Sequence, residues 1–124
     1  MAIILIADDE PDVVHFCSFA LSKTRHTILS AESGPKTMEM LRNEKPDLLI
    51  LDVMLPGMDG YTVQLQMSQD EVLSKIPVIV ISALKPALGL FDKFNQVSTF
   101  LPKPFHPEEL TSAVDKALTE IKKN

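Results

Sequence analysis

Three short stretches, "IILIA" at Ile3–Ala7, "LLIL" at Leu48–Leu51 and "VIVI" at Val78–Ile81, are apolar at every position. A strand with one wet face alternates apolar and polar side chains, whereas a strand apolar throughout must be covered on both faces. None of these runs approaches the length that crosses a bilayer, so the cover comes from other parts of the same chain. Weaker runs at roughly Thr27–Ala31 and at Thr99–Leu101 bring the candidate strands to five.

The segments between them read as helices. In Asp12–Lys23, Val13, Phe16, Cys17 and Ala20 fall on one helical face. Pro35–Asn43 carries Met38 and Leu41, and Asp59–Gln69 carries Val63 and Met67. The last helix has a stripe of Leu110, Ala113, Val114, Ala117, Leu118 and Ile121. Pro107 suits its first turn, Glu108 and Glu109 its positive end, and Lys122 and Lys123 its negative end. Between strands four and five, Pro86 and Gly89 leave room only for a short helix starting at Pro86. Strands alternating with helices predict right-handed βαβ units: an α/β fold with a parallel sheet and helices on both faces.

The 124 residues fit one domain, residues 1–124, and 45% of them are apolar, enough for a sizeable core. Acids outnumber bases 17 to 12, for a net charge of −5. A direct nucleic-acid binder needs a basic face, so that class is disfavoured. The single cysteine, Cys17, cannot form an internal disulfide and reads as a small core residue. With no signal-peptide pattern and no membrane span, a cytoplasmic location is the expectation. His15, His26 and His106 are scattered and read as surface or cap residues; the six methionines read as core filling, although Met54 and Met58 closely follow Asp52, the acid that ends the third run.

In open parallel sheets the ligand crevice lies outside the carboxyl ends of the strands. Strand one is followed by Asp8 and Asp9, strand three by Asp52, strand four by Ser82, and Lys103 follows strand five. Carboxylates brought together repel unless protonated or bridged by a cation. An all-oxygen site with room for water suits Mg²⁺, with Mn²⁺ as a substitute, and no His or Cys stands nearby to suit zinc. A carboxylate can accept a phosphoryl group, and Asp52 is the best placed to do so. Ser82 offers a hydroxyl and Lys103 a point charge to the phosphoryl oxygens. Taken singly, each residue has a plainer explanation. Asp8, Asp9 and Asp12 could serve the start of the first helix, Asp52 a turn, and Lys103 an ordinary loop. Their joint occurrence at strand ends favours one site.

With "ILIADDE", "PDLLILDVMLPGMDGY", "IPVIVISA" and "FLPKPF" in order along the chain, the sequence resembles the receiver domain of two-component response regulators. The resemblance implies a flavodoxin-like, five-stranded sheet in the order 2-1-3-4-5. It implies Asp52 as phosphoacceptor, with Asp9, Asp52 and the backbone carbonyl of Met54 binding Mg²⁺ and Asp8 acting through water. Ser82 and Phe100 would be the switch pair, Lys103 the phosphoryl partner, and Lys103–Pro104 a cis peptide. Met54 and Leu84 hold positions that modulate water access. The implied partners are a sensor histidine kinase or histidine phosphotransfer protein and a downstream protein target, with a phosphorylation-dependent homodimer as a further expectation. The protein would not be a conventional enzyme. It would assist only its own phosphorylation and dephosphorylation.

Three other readings stand beside this one. A Mg²⁺-dependent phosphohydrolase commonly has a D-x-D motif after its first strand, and this chain has Asp8-Asp9. An unphosphorylated pseudo-receiver scaffold would be expected to lack the acids or the lysine. A flavin-binding protein wants a Ser/Thr/Gly-rich phosphate loop where this chain has acids.

Overall fold

The structure, a computed structural model, describes residues 2–122. Lys123 lies outside the described residues, as do the side chains of Ile121 and Lys122. The strands are β1 (Ile3–Ala7), β2 (Thr27–Ala31), β3 (Leu48–Asp52), β4 (Val78–Ser82) and β5 (Val97–Pro102). The helices are α1 (Pro11–Ala20), α2 (Gly34–Glu44), α3 (Gly60–Ser68), α4 (Lys85–Leu88) and α5 (Pro107–Lys122). All strand pairs are parallel, in the order β2-β1-β3-β4-β5.

Because β1, β3 and β4 are buried almost throughout, the sheet divides the interior into two cores. On one side Leu5, Leu49, Leu51, Val78 and Val80 pack with Met38 and Leu41 of α2, Val63 and Met67 of α3, and Phe91. On the other, Ile4, Ile6, Ile50, Ile79 and Ile81 pack with Cys17 and Leu21 of the first helical segment and with Leu110, Ala113, Val114 and Ala117 of α5. Alternate residues of one apolar run thus serve opposite faces, which is why those runs do not alternate with polar residues.

Local chemistry sets the helix boundaries. Asp59 lies outside α3 and caps it, its Oδ1 accepting the Thr62 N–H at 2.8 Å. Ser33 caps α2 by accepting the Lys36 N–H at 3.1 Å. At α5 the His106 N–H donates to Glu109 Oε1 at 2.9 Å, half of a capping box. Helix α1 ends at Ala20 rather than at the expected Lys23. The Ser22 and Thr24 hydroxyls donate to the carbonyls of Phe19 and Leu21, at 2.7 and 2.5 Å, and close the chain into turns. Strand β5 runs longer than Thr99–Leu101, from Val97 to Pro102, with a bulge opposite Val78–Ile79. Phe16, expected on the buried face of α1, is 38% exposed and meets Phe105 edge to face, with centroids 5.7 Å apart. Helix α4 has four residues, with Pro86 in its first turn, and passes into a 3₁₀ turn at Gly89–Phe91.

Gly60 sits where no side chain fits. Its N–H donates to the Val53 carbonyl at 2.8 Å, and a Cβ added there would meet the Asp52 carbonyl oxygen and lie 2.8 Å from the Val53 Cα. The α3 N-terminus is thereby seated directly on the end of β3. Gly60→Ala is expected to destabilise the protein by about 1–3 kcal/mol, as overpacking against backbone does. Gly89→Ala, with nothing within 4 Å of the added carbon, is expected to be neutral or slightly stabilising. Urea denaturation of both variants measures the contrast.

Candidate functional site

The strand order reverses between β1 and β3, so a crevice opens at their carboxyl ends. Asp8 follows β1 and is 1% exposed; Asp52 ends β3 and is 3% exposed. The Asp8 Oδ1 accepts the Glu10 N–H at 2.9 Å, a tight turn that feeds the chain into Pro11 and α1. That turn leaves Asp9 and Glu10 exposed at the rim. One carboxylate oxygen from each of Asp8, Asp9, Glu10 and Asp52 lies within 4.8 Å of the others.

Lys103 supplies the opposing charge. It follows β5, its N–H donates to the Ser82 carbonyl at 2.8 Å, and the Lys103–Pro104 peptide is cis. Its Nζ stands 2.8 Å from Asp8 Oδ2, 3.2 Å from Asp52 Oδ2 and 3.3 Å from Glu10 Oε1. Burial alone would lower the Lys103 pKa, but the Asp8 hydrogen bond and the Asp52 charge outweigh it and hold the ammonium charged. Asp52 is pushed up to about 6, first by burial and then by Asp8. Lys103 and the Met54 N–H, which donates to Asp52 Oδ1 at 3.2 Å, oppose that shift without cancelling it. The ammonium sits closest to Asp8, and Asp52 is left under-compensated.

Ser82 ends β4, fully buried, and its Oγ accepts the Leu84 N–H at 3.0 Å. Leu84 and Met54 are exposed, at 51% and 58%, so Met54 is not core filling. Phe100 lies outside the carboxylate group. It is half-buried on β5 and packs against the core that contains Phe91. None of the histidines joins the carboxylates: His15 and His106 are exposed, and His26 Nδ1 accepts the Ala2 N–H at 3.0 Å. Glu10 is the participant that sequence reasoning passed over. Its adjacency to Asp8 and Asp9 was the available signal, but its reach to Lys103 depends on the turn.

This crevice of carboxylates facing one lysine, on a doubly wound parallel sheet, defines an aspartate-centred acidic site. Residues 4–115 match the family model of the response regulator receiver domain. The chain is 32% identical over 119 residues to protein PilH of Pseudomonas aeruginosa, covering 95% of this chain and 98% of that one. It is 31% identical to the alkaline phosphatase synthesis transcriptional regulatory protein PhoP of Bacillus subtilis, covering 93% of this chain. It is 34% identical to the response regulator PleD of Caulobacter vibrioides, covering 96%. It spans 48% of PhoP and 26% of PleD. The signal receiver domain of a signal transduction histidine kinase from Syntrophus aciditrophicus superposes with a TM-score of 0.90 at 27% identity, covering 100% of this chain and 95% of that one. The chain belongs to the response regulator receiver domain family.

The displaced Asp52 pKa carries a stability consequence. A carboxyl whose folded-state pKa exceeds its unfolded value contributes stability that is complete below the unfolded value, near 3.8, and lost as pH rises through about 6. In metal-free buffer Asp52→Asn is therefore expected to raise the melting temperature at about pH 7.5, with the gain shrinking towards about pH 4. Thermal melts of both proteins in EDTA check it; a lower melting temperature for the variant at the higher pH contradicts it.

Proposed function

We propose that this receiver is a phosphorylation-activated signalling switch in which Asp52 accepts a phosphoryl group from a histidine kinase or histidine phosphotransfer protein. One observation carries the reading: a buried, under-compensated carboxylate at the switch point of the sheet, 3.2 Å from a lysine ammonium. The four carboxylates fit a hard divalent cation, being all oxygen, closely grouped, and exposed at Asp9 and Glu10 so that water can complete the shell. Asp9, Asp52 and the Met54 backbone carbonyl would hold Mg²⁺, or Mn²⁺ in its place, with Asp8 acting through water. When bound, the ion neutralises charge on the phosphoryl oxygens.

The chain's own residues do the rest. An Asp52 carboxylate oxygen forms the new bond to phosphorus, and the departing imidazole nitrogen keeps the electron pair of the broken N–P bond. Lys103 exchanges part of its contact with Asp52 for the phosphoryl oxygens. The Ser82 hydroxyl bonds the same group, and Phe100 follows by turning further into the core beside β5. The α4–β5–α5 face is thereby altered for a downstream protein. Such a shift is limited to the difference in how the phosphoryl group interacts with the two states.

A protein donor is favoured over a small one by the surface beside Lys103. A groove of about 410 Å³, lined by Val13, Phe16, Pro104 and Phe105, opens next to Lys103 and Glu10. Phe19, one turn along α1 from Phe16, is 80% exposed. Apolar side chains gathered around an acidic site suit a partner helix better than a free phosphate ester.

Incubation with acetyl phosphate and Mg²⁺ followed by intact mass is expected to show one added phosphoryl group. It should be absent from Asp52→Asn and from an EDTA control. Rapid turnover of acetyl phosphate without an adduct would favour the hydrolase reading, and no adduct on a folded, Mg²⁺-binding protein the scaffold reading. With Met54 and Leu84 both apolar and exposed, neither orients an attacking water, so the adduct is expected to outlive that of receivers with polar residues at both positions. Phe19→Asp is expected to slow labelling by a phosphohistidine protein more than labelling by acetyl phosphate.

A further inference from the structure

Met54 combines two features. Its backbone N–H donates to Asp52 Oδ1, which fixes its Cα beside the site. Its side chain is among the exposed large apolar groups. Met38 and Met67 are buried and Met40 and Met58 half-buried, so among the described residues Met54 is the thioether most open to solvent. Cys17, the chain's only thiol, is fully buried, and its pKa is pushed up to about 12 by burial and then by Asp8, with Lys103 opposing. A buried, protonated thiol is a poor nucleophile, so among the sulfurs of the described residues an oxidant arriving from solvent meets Met54 first.

We propose that Met54 is a redox-modification site, and that its oxidation to the sulfoxide by a peroxide shortens the life of a phosphoryl group on Asp52. The proposal rests on the reading of Asp52 as phosphoacceptor. In the oxidation, a sulfur lone pair attacks one peroxide oxygen. The S–O bond forms, the O–O bond breaks, and the departing oxygen leaves as water once protonated. Sulfur loses two electrons and the peroxide gains them.

The consequence follows from hydrogen-bonding chemistry. A thioether is a weak acceptor and holds water poorly, whereas a sulfoxide oxygen is a strong, polar acceptor on the same flexible stem. With its Cα fixed by the bond to Asp52, that oxygen can hold a water at the mouth of the site, in position to attack phosphorus. Leu84 flanks the site in the same manner, its N–H bonded to Ser82 Oγ, but it has no oxidisable atom. The apolar pair therefore becomes half polar under peroxide and returns to apolar when a thiol-dependent reductase removes the oxygen.

The test treats the full chain with limiting hydrogen peroxide and maps sulfoxides by peptide mass. The protein is then phosphorylated with acetyl phosphate and Mg²⁺, and decay of the adduct is followed by intact mass. Wild type, Met54→Leu, Met58→Leu and the polar mimic Met54→Gln are compared. The first sulfoxide is expected at Met54. Decay should quicken severalfold in oxidised wild type and oxidised Met58→Leu, show no peroxide response in Met54→Leu, and recover after sulfoxide reductase treatment. Met54→Gln should decay faster than wild type with no peroxide. First oxidation at another methionine, or a Met54 sulfoxide with unchanged decay, would overturn the proposal while leaving Asp52 as acceptor. No adduct on untreated protein would overturn both.

Discussion

The ammonium of Lys103 set among Asp8, Asp52 and Glu10 is the contact on which the rest of the site depends. Four carboxylates with oxygens within 4.8 Å of one another face a single cation held 2.8–3.3 Å from three of them. One positive charge cannot satisfy that group, and the pushed-up pKa of Asp52 is where the deficit is felt. A buried charge left short of partners is costly unless something else arrives to compensate it. The proposed function draws on that deficit: a divalent ion, or a change of partner at Lys103, would relieve it, and Asp52 is the group that would respond.

The fold brings these groups together from residues far apart in the chain. Lys103 stands 95 positions from Asp8 and 51 from Asp52. Parallel strands carry both acids and Ser82 to the same edge, while two apolar cores hold that edge against the repulsion of its charges. Gly60 closes the arrangement from below by letting the N-terminus of α3 rest on the backbone of Asp52 and Val53. Core packing and site geometry are therefore one problem in this chain. An overpacked side chain at Gly60 is felt first at the backbone of Asp52.

Much of this was legible in the sequence because apolar runs without alternation have few solutions. "IILIA", "LLIL" and "VIVI" required cover on both faces, and the parallel sheet that follows places Asp8, Asp52 and Ser82 at one edge. What escaped was decided by tertiary partners. Gln64 reads as a polar break on α3, yet it is fully buried and donates to Gln96 Oε1 at 2.8 Å. Gln96 in turn donates to the carbonyls of Leu73 and Ile76, and this pins the start of β5 earlier than its apolar residues suggest. Phe91, Phe94 and Tyr61 pack edge to face or tilted, with Lys93 above two of the rings, and hold the segment after the short α4. No local pattern announces such contacts. The placement of Phe16 depended likewise on Phe105, a residue from the far end of the chain.

The most direct test of the charge deficit is a Mg²⁺ titration of the unphosphorylated protein, followed by backbone amide NMR. The account predicts saturable, one-to-one shifts centred on residues 8–10, 52–54, 82–84 and 103, and weaker binding in Asp9→Asn. Amides in these segments that stay unmoved at saturating Mg²⁺, in a folded protein, would contradict it.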